Sequence, residues 1–158
     1  MAAGNAERSV AHATFSVERV YPATPDRVFA AFADAERKRR WFVEGEGWIV
    51  DEFVLDFRVG GTERSRFRFR DGPPMTNDTV FLDIVPDRRI IFAYSMTMDG
   101  VPISVSLATA DITHAGGGTR LVLTEQAVFL DGYDGAADRE GGWSELLGKL
   151  GEELRDHP

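Results

Sequence analysis

The order of apolar and polar positions divides the chain into a strand, two short helices, a run of strands and a final helix. From Thr14 to Tyr21, Phe15 and Val17 alternate with Ser16 and Glu18, the period of a half-buried strand. Thr24 then offers an N-cap and Pro25 suits a first helical position, where its missing N–H costs nothing. The helix this starts places Val28, Phe29 and Phe32 on one face, and Asp34 can cap a second helix running to Trp41 and Phe42. From about Trp48 the period becomes two. Strands are predicted over residues 49–57, 62–70, 79–85, 89–98, 101–112 and 119–129. In the second of these Ser65, Phe67 and Phe69 share a face opposite Arg64, Arg66, Arg68 and Arg70. In the third, Val80, Leu82 and Ile84 form the more apolar side. Asp99-Gly100 is a two-residue hairpin turn, since both central positions of a type I′ turn need positive φ. The chain ends in a helix whose Trp143, Leu146, Leu147, Leu150 and Leu154 form one apolar stripe, with Glu145, Lys149, Glu152 and Glu153 assigned to the outside.

That stripe must cover something, and the apolar face of the sheet is available. The expected class is α+β: a curved antiparallel sheet of about seven strands around a long C-terminal helix, with two short helices after the first strand. At 158 residues the chain fits one domain, read as residues 12–156 behind a flexible tail over 1–11. No apolar run reaches the ~20 residues of a membrane span, and the first residues lack a secretory signal. With no cysteine, disulfides, thiolate catalysis and cysteine metal sites are excluded, and a cytoplasmic setting is expected. A net charge of −8 argues against a nucleic-acid partner. Two basic clusters, Arg37 to Arg40 and Arg64 to Arg70, are read as solvated surface that a phosphate or a partner protein can use.

Several motifs in order carry a family resemblance. Asp56-Phe57-Arg58-Val59-Gly60-Gly61, Pro25 to Phe32, Trp41-Phe42, Ile84-Val85-Pro86 with Arg89 to Phe92, Leu121 to Phe129, and Gly142-Trp143 with Leu147 and Leu150 resemble the SRPBCC superfamily. The branch they resemble is that of the heat-shock-protein ATPase activator homologues, close to the polyketide cyclases. The resemblance spans about Thr14 to Leu154. It implies a helix-grip fold with an apolar cavity between sheet and final helix, and it leaves the function open, because such folds host many activities. The activator branch adds docking onto a chaperone.

Candidate chemistry is sparse. His12, His114 and His157 fall at a strand start, a turn and the chain end, away from any motif. There is no metal-ligand spacing, nucleophile elbow or phosphate-binding loop, so neither metal nor cofactor is expected and no catalytic set is assigned. Asp56 and Arg58 share a strand face, a spacing that permits a local ion pair or cross-strand pairing, and are read as structural. Glu125 shares parity with Leu121, Leu123, Ala127 and Phe129; facing the cavity, it would be a carboxylate in apolar surroundings whose burial raises its pKa. On the alternative it lies near the strand end and is solvated or paired with an arginine such as Arg58. Tyr94 is a phenol that needs a partner when buried. The expected ligand-binding set is Phe92, Tyr94, Met96, Val105, Leu107, Leu123, Glu125, Trp143 and Leu147, with Met98 beside it. The leading function is binding of a small apolar or lipid-like molecule. A cyclase or hydratase using Glu125 as a proton shuttle and a chaperone-docking protein are the alternatives. A homodimer is compatible with the sequence, and the segment from Val43 to Trp48 is a candidate lid.

Overall fold

A computed structural model describes residues 7–158. The elements follow the predicted order: β1 (Val10–Tyr21), α1 (Pro25–Ala33), α2 (Ala35–Phe42), β2 (Trp48–Leu55), β3 (Thr62–Phe69), β4 (Met75–Val85), β5 (Arg89–Met98), β6 (Val101–Ala115), β7 (Gly118–Leu130) and α3 (Ala136–Asp156). The seven strands form one curved antiparallel sheet in the order β1-β7-β6-β5-β4-β3-β2, a six-strand meander closed by β1 on β7. Residues 1–6 of the expected tail lie outside the described residues. Arg8 and Ser9 bind Asp131 and β1 starts at Val10, so the sheet begins before residue 12.

The turn chemistry worked as read. Asp99 and Gly100 adopt φ of 52° and 77°. Asp34 caps α2 by accepting from the Arg37 amide at 3.0 Å. Thr24 occupies the N-cap of α1 without a side-chain bond to the helix. Gly61 is required because a Cβ there would lie 2.1 Å from the Asp56 carbonyl oxygen. Asp56 and Arg58 pair at 2.9 Å on the surface.

Three register shifts, at Val50/Glu52, Phe81/Asp83 and Met96/Thr97, bend the sheet and change which residues face the helices. In β4 the inner residues are Asn77, Thr79 and Phe81; Leu82 is exposed, and only beyond the shift does Ile84 reach the core. The assignment of Val80 and Leu82 to the apolar side is therefore corrected. Helices α1 and α2 cover one end of the inner face, where Val28, Phe32, Trp41, Phe81, Ile90, Ile112 and Leu121 are fully buried. Trp41 Nε1 donates to the Ala31 carbonyl at 2.8 Å, which locks the two helices together.

Helix α3 presents Trp143, Leu147, Leu150 and Leu154 to the sheet as expected. Glu153 is a correction: it is buried, because α2 packs over this end of α3. Arg40 grips its carboxylate with two bonds, at 2.8 and 2.7 Å. Arg27 and Arg37 donate to the carbonyls of Leu154 and His157, at 2.5 and 2.9 Å, placing positive charge at the helix C-terminus where the dipole favours it. The first basic cluster is thus structural, and its Lys38 points into the core. The arginines of β3 lie on the outer face and pair with acidic residues, Arg66 with Asp78 at 3.0 Å and Arg68 with Asp51 at 3.6 Å.

Candidate functional site

Two polar centres lie inside the grip. The first is built on Glu125, in the middle of β7 and fully buried. Its Oε1 accepts from Tyr94 on β5 at 2.5 Å and from the indole of Trp143 on α3 at 2.8 Å. Its Oε2 accepts from Ser106 on β6 at 2.9 Å and from Arg139 on α3 at 3.2 Å. Arg139 also donates to the Tyr94 hydroxyl at 3.1 Å and to Ser104 at 2.7 Å, and its guanidinium lies 5.3 Å from the Phe129 ring centroid. Every oxygen of the carboxylate is therefore satisfied, as a buried charge requires. Burial pushes the Tyr94 phenol above its ordinary value, against the opposing pull of Arg139. Burial lowers the Arg139 guanidinium, but Tyr94 and Glu125 outweigh it and the net direction is up. The partner of Glu125 is Arg139 and not Arg58, which stays on the surface with Asp56.

The second centre joins α2 to β3. Lys38 Nζ donates to Glu63 Oε1 at 2.6 Å, with both side chains almost completely buried. The ammonium lies 4.6 Å from the Phe42 ring centroid and 5.8 Å from those of Phe81 and Phe92, a setting that favours a cation through the ring faces. Two residues along β3, on the same inner face, Ser65 is fully buried and its Oγ has no hydrogen-bond partner among the described residues. An unpaired buried hydroxyl costs about 1–3 kcal/mol. Asn77, opposite Ser65 on β4, and Thr79, opposite Glu63, are buried too and bonded to each other at 3.1 Å.

The strand pairing sets the distance between the centres. Glu63, Thr79, Tyr94 and Ser106 occupy one row across β3, β4, β5 and β6. Glu63 and Tyr94 are thus two strands apart, about 10 Å between backbones. The next row holds Phe53, Ser65, Asn77, Met96, Ser104 and Phe129. Beyond it, at the end away from α1, come Phe67, Met75 and Met98. Phe53, Phe67, Met75, Met96 and Met98 are only half-buried although they lie on the inner face. Trp48 stands at this rim, its ring centroid 5.0 Å from that of Phe69. The segment from Val43 to Trp48 is tied at three points: Lys149 and Arg39 bind the Glu44 carbonyl and carboxylate, and the Arg70 amide donates to Gly47.

Of the expected ligand-binding residues, Phe92, Tyr94, Leu123, Glu125, Trp143 and Leu147 meet in the interior, and Met96 lies at its open edge. Val105 and Leu107 do not: they are exposed on the outer face, and Ser104, Ser106 and Ala108 point inward instead. A large apolar side chain was a misleading guide in β6, because Arg139 and Trp143 fill the space above that strand. Two clefts open elsewhere. One, of about 600 Å³, lies between the start of α1 and Arg88, Thr113 and His114; the other, of about 550 Å³, between β1 and Glu140 and Ser144. Neither is lined by the expected residues. Sequence reasoning missed Arg139, Lys38 and Glu63. Arg139 is one turn before Trp143 and so extends the apolar stripe, while Glu63 shares the parity of Ser65 and Phe67. No group of three or more metal-ligating residues occurs among the described residues, and no helix among them is long and apolar enough to cross a membrane.

Comparison with known proteins agrees with this architecture. Residues 22–155 match the profile of the family described as activator of Hsp90 ATPase homolog 1-like protein. The crystal structure of the Mll3558 protein from Rhizobium loti is similar at 52% identity, over 92% of this chain and 99% of that one, with a TM-score of 0.86. An uncharacterised protein from Rhizobium leguminosarum is 42% identical over 96% and 99% of the two chains, with a TM-score of 0.92. CalU16 from Micromonospora echinospora, 22% identical over 94% and 85%, with a TM-score of 0.63, shares the fold. No curated protein matches the chain.

Proposed function

Since the chain belongs to the family of activator of Hsp90 ATPase homolog 1-like proteins, we propose that it binds a small apolar or lipid-like molecule between the inner face of the sheet and α3. The observation that carries this reading is the uneven cover of that face. At the α1 end the side chains are fully buried. At the other end phenylalanine and methionine side chains stay half-buried beside a buried hydroxyl with no partner. Apolar walls with a few convergent polar groups are what small-molecule sites are made of, and methionines adapt to irregular ligands. A ligand would enter past Trp48, Phe67 and Met98, and displacement of α3 or of the tied segment before β2 would widen the path.

Native mass spectrometry of the purified protein, with denaturing extraction of anything bound, tests the reading. A co-purifying apolar molecule, or a raised melting temperature with a panel of such molecules, is expected, since a ligand of the native state stabilises by mass action. A panel without mass adducts or thermal shifts would remove the reading. Use of Glu125 as a proton shuttle is less well supported, because each of its oxygens already accepts from two donors. The family description favours a second reading, docking onto a chaperone. It predicts a complex with an Hsp90-type chaperone that weakens with salt; a pull-down at low salt that recovers no chaperone would end it.

A further inference from the structure

The two buried centres differ in how completely their hydrogen-bonding capacity is used, and the difference says what kind of molecule the interior accepts. At Glu125 all the polar atoms have partners, and a ligand group could enter only by displacing one of them. At the other centre Ser65 Oγ has none, and Lys38 Nζ has three N–H donors of which Glu63 takes one while phenylalanine rings flank the ammonium. That centre has donors to spare on Lys38 and Ser65, and the second oxygen of Glu63 accepts from none of the described residues. The charges limit further what can bind there. Lys38 is matched by Glu63 and Arg139 by Glu125, so the interior is neutral as built. A carboxylate or phosphate brought beside Glu63 would be an uncompensated buried charge, whereas a carbonyl or hydroxyl oxygen would not.

We infer that the Lys38–Glu63–Ser65 centre is the head-group site of the grip and that it takes an uncharged, oxygen-bearing apolar molecule: a ketone, an ester or an alcohol in preference to an anionic lipid. This rests on the proposed binding of an apolar ligand and adds the orientation. The oxygen meets Ser65 and Lys38 in the interior, and the hydrocarbon lies along Phe53, Phe67, Met96 and Met98 toward the rim.

The test is calorimetric titration of the full chain with methyl nonyl ketone, decanoic acid and decane. The ketone is expected to bind at least about a hundredfold more tightly than the ionised acid, the scale of one buried charge left unpaired. Ser65→Ala removes a hydroxyl that holds nothing in the free protein, so its melting temperature should be unchanged or higher while ketone affinity falls about fivefold, as for one neutral hydrogen bond. The double variant Lys38→Met/Glu63→Leu removes the pair without leaving a lone charge and should narrow the preference for ketone over decane to the roughly fivefold that Ser65 supplies. Tighter binding of the acid than the ketone, or ketone affinity untouched by Ser65→Ala, overturns the head-group assignment and leaves apolar binding standing. Failure of all three probes to bind overturns both.

Discussion

At the scale of single residues, Glu125 and Arg139 show how one buried carboxylate organises the interior. Removing one partner of a buried pair leaves the other charged and unsolvated, at a cost of about 3–5 kcal/mol. Arg139→Met should therefore destabilise the protein by about 3 kcal/mol in urea unfolding, because Glu125 would keep only neutral donors. Tyr94→Phe removes one bond of four and should cost about 1–2 kcal/mol. The two losses should not add, since both act on one carboxylate; additive values would mean that Tyr94 and Arg139 stabilise the fold through separate contacts. Glu125 was legible in the sequence from strand parity alone. Its partner was not, because a helical stripe is read by its apolar members and a guanidinium in line with Trp143 looks like solvated surface. Lys38 was hidden for the same reason, between arginines that do face outward.

At the scale of elements, the order of strands and helices was legible nearly throughout, since period and turn chemistry are local. The inner faces of β4 and β6 were not. A register shift exchanges the two faces of a strand, and nothing in Phe81-Leu82-Asp83 or in Pro102-Ile103-Ser104 announces one. The outer side of α3 was misread at Glu153 because helix–helix packing, which period alone does not place, brings α2 over the last turns. That clamp supports a prediction about dynamics. Glu153→Ala removes the anchor of Arg40 but leaves the leucine stripe in place, so global unfolding should shift little. Amide exchange should speed up in α2 and in the last two turns of α3, while β6 and β7 keep their protection. Uniform acceleration across the molecule would mean that the clamp contributes to global stability instead of fastening one helix to another.

At the scale of the whole molecule, two of the three tyrosines act as a check on how tightly the grip is closed. Tyr21 donates to the Leu147 carbonyl at 2.7 Å and Tyr94 to Glu125, so each phenol fastens the sheet to α3 or to the network beneath it. Burial raises both above the ordinary tyrosine value, in each case as the leading cause. A group whose folded pKa is raised contributes stability that is complete below its unfolded pKa and is lost as pH climbs above it. At high pH the unfolded state has released protons that the native state still holds. With an unfolded tyrosine near pH ~10, stability should be insensitive to these groups at neutral pH and fall steeply above that value. In a spectrophotometric titration, the phenolate absorbance of Tyr21 and Tyr94 should appear only together with the loss of near-ultraviolet circular dichroism. Tyr94→Phe should make the alkaline loss shallower, although it lowers stability at neutral pH. If Tyr94 instead ionises while the protein is still folded, water reaches the Glu125 network in the native state. The interior would then be an open, hydrated site, and the apolar ligand would have to displace solvent from it.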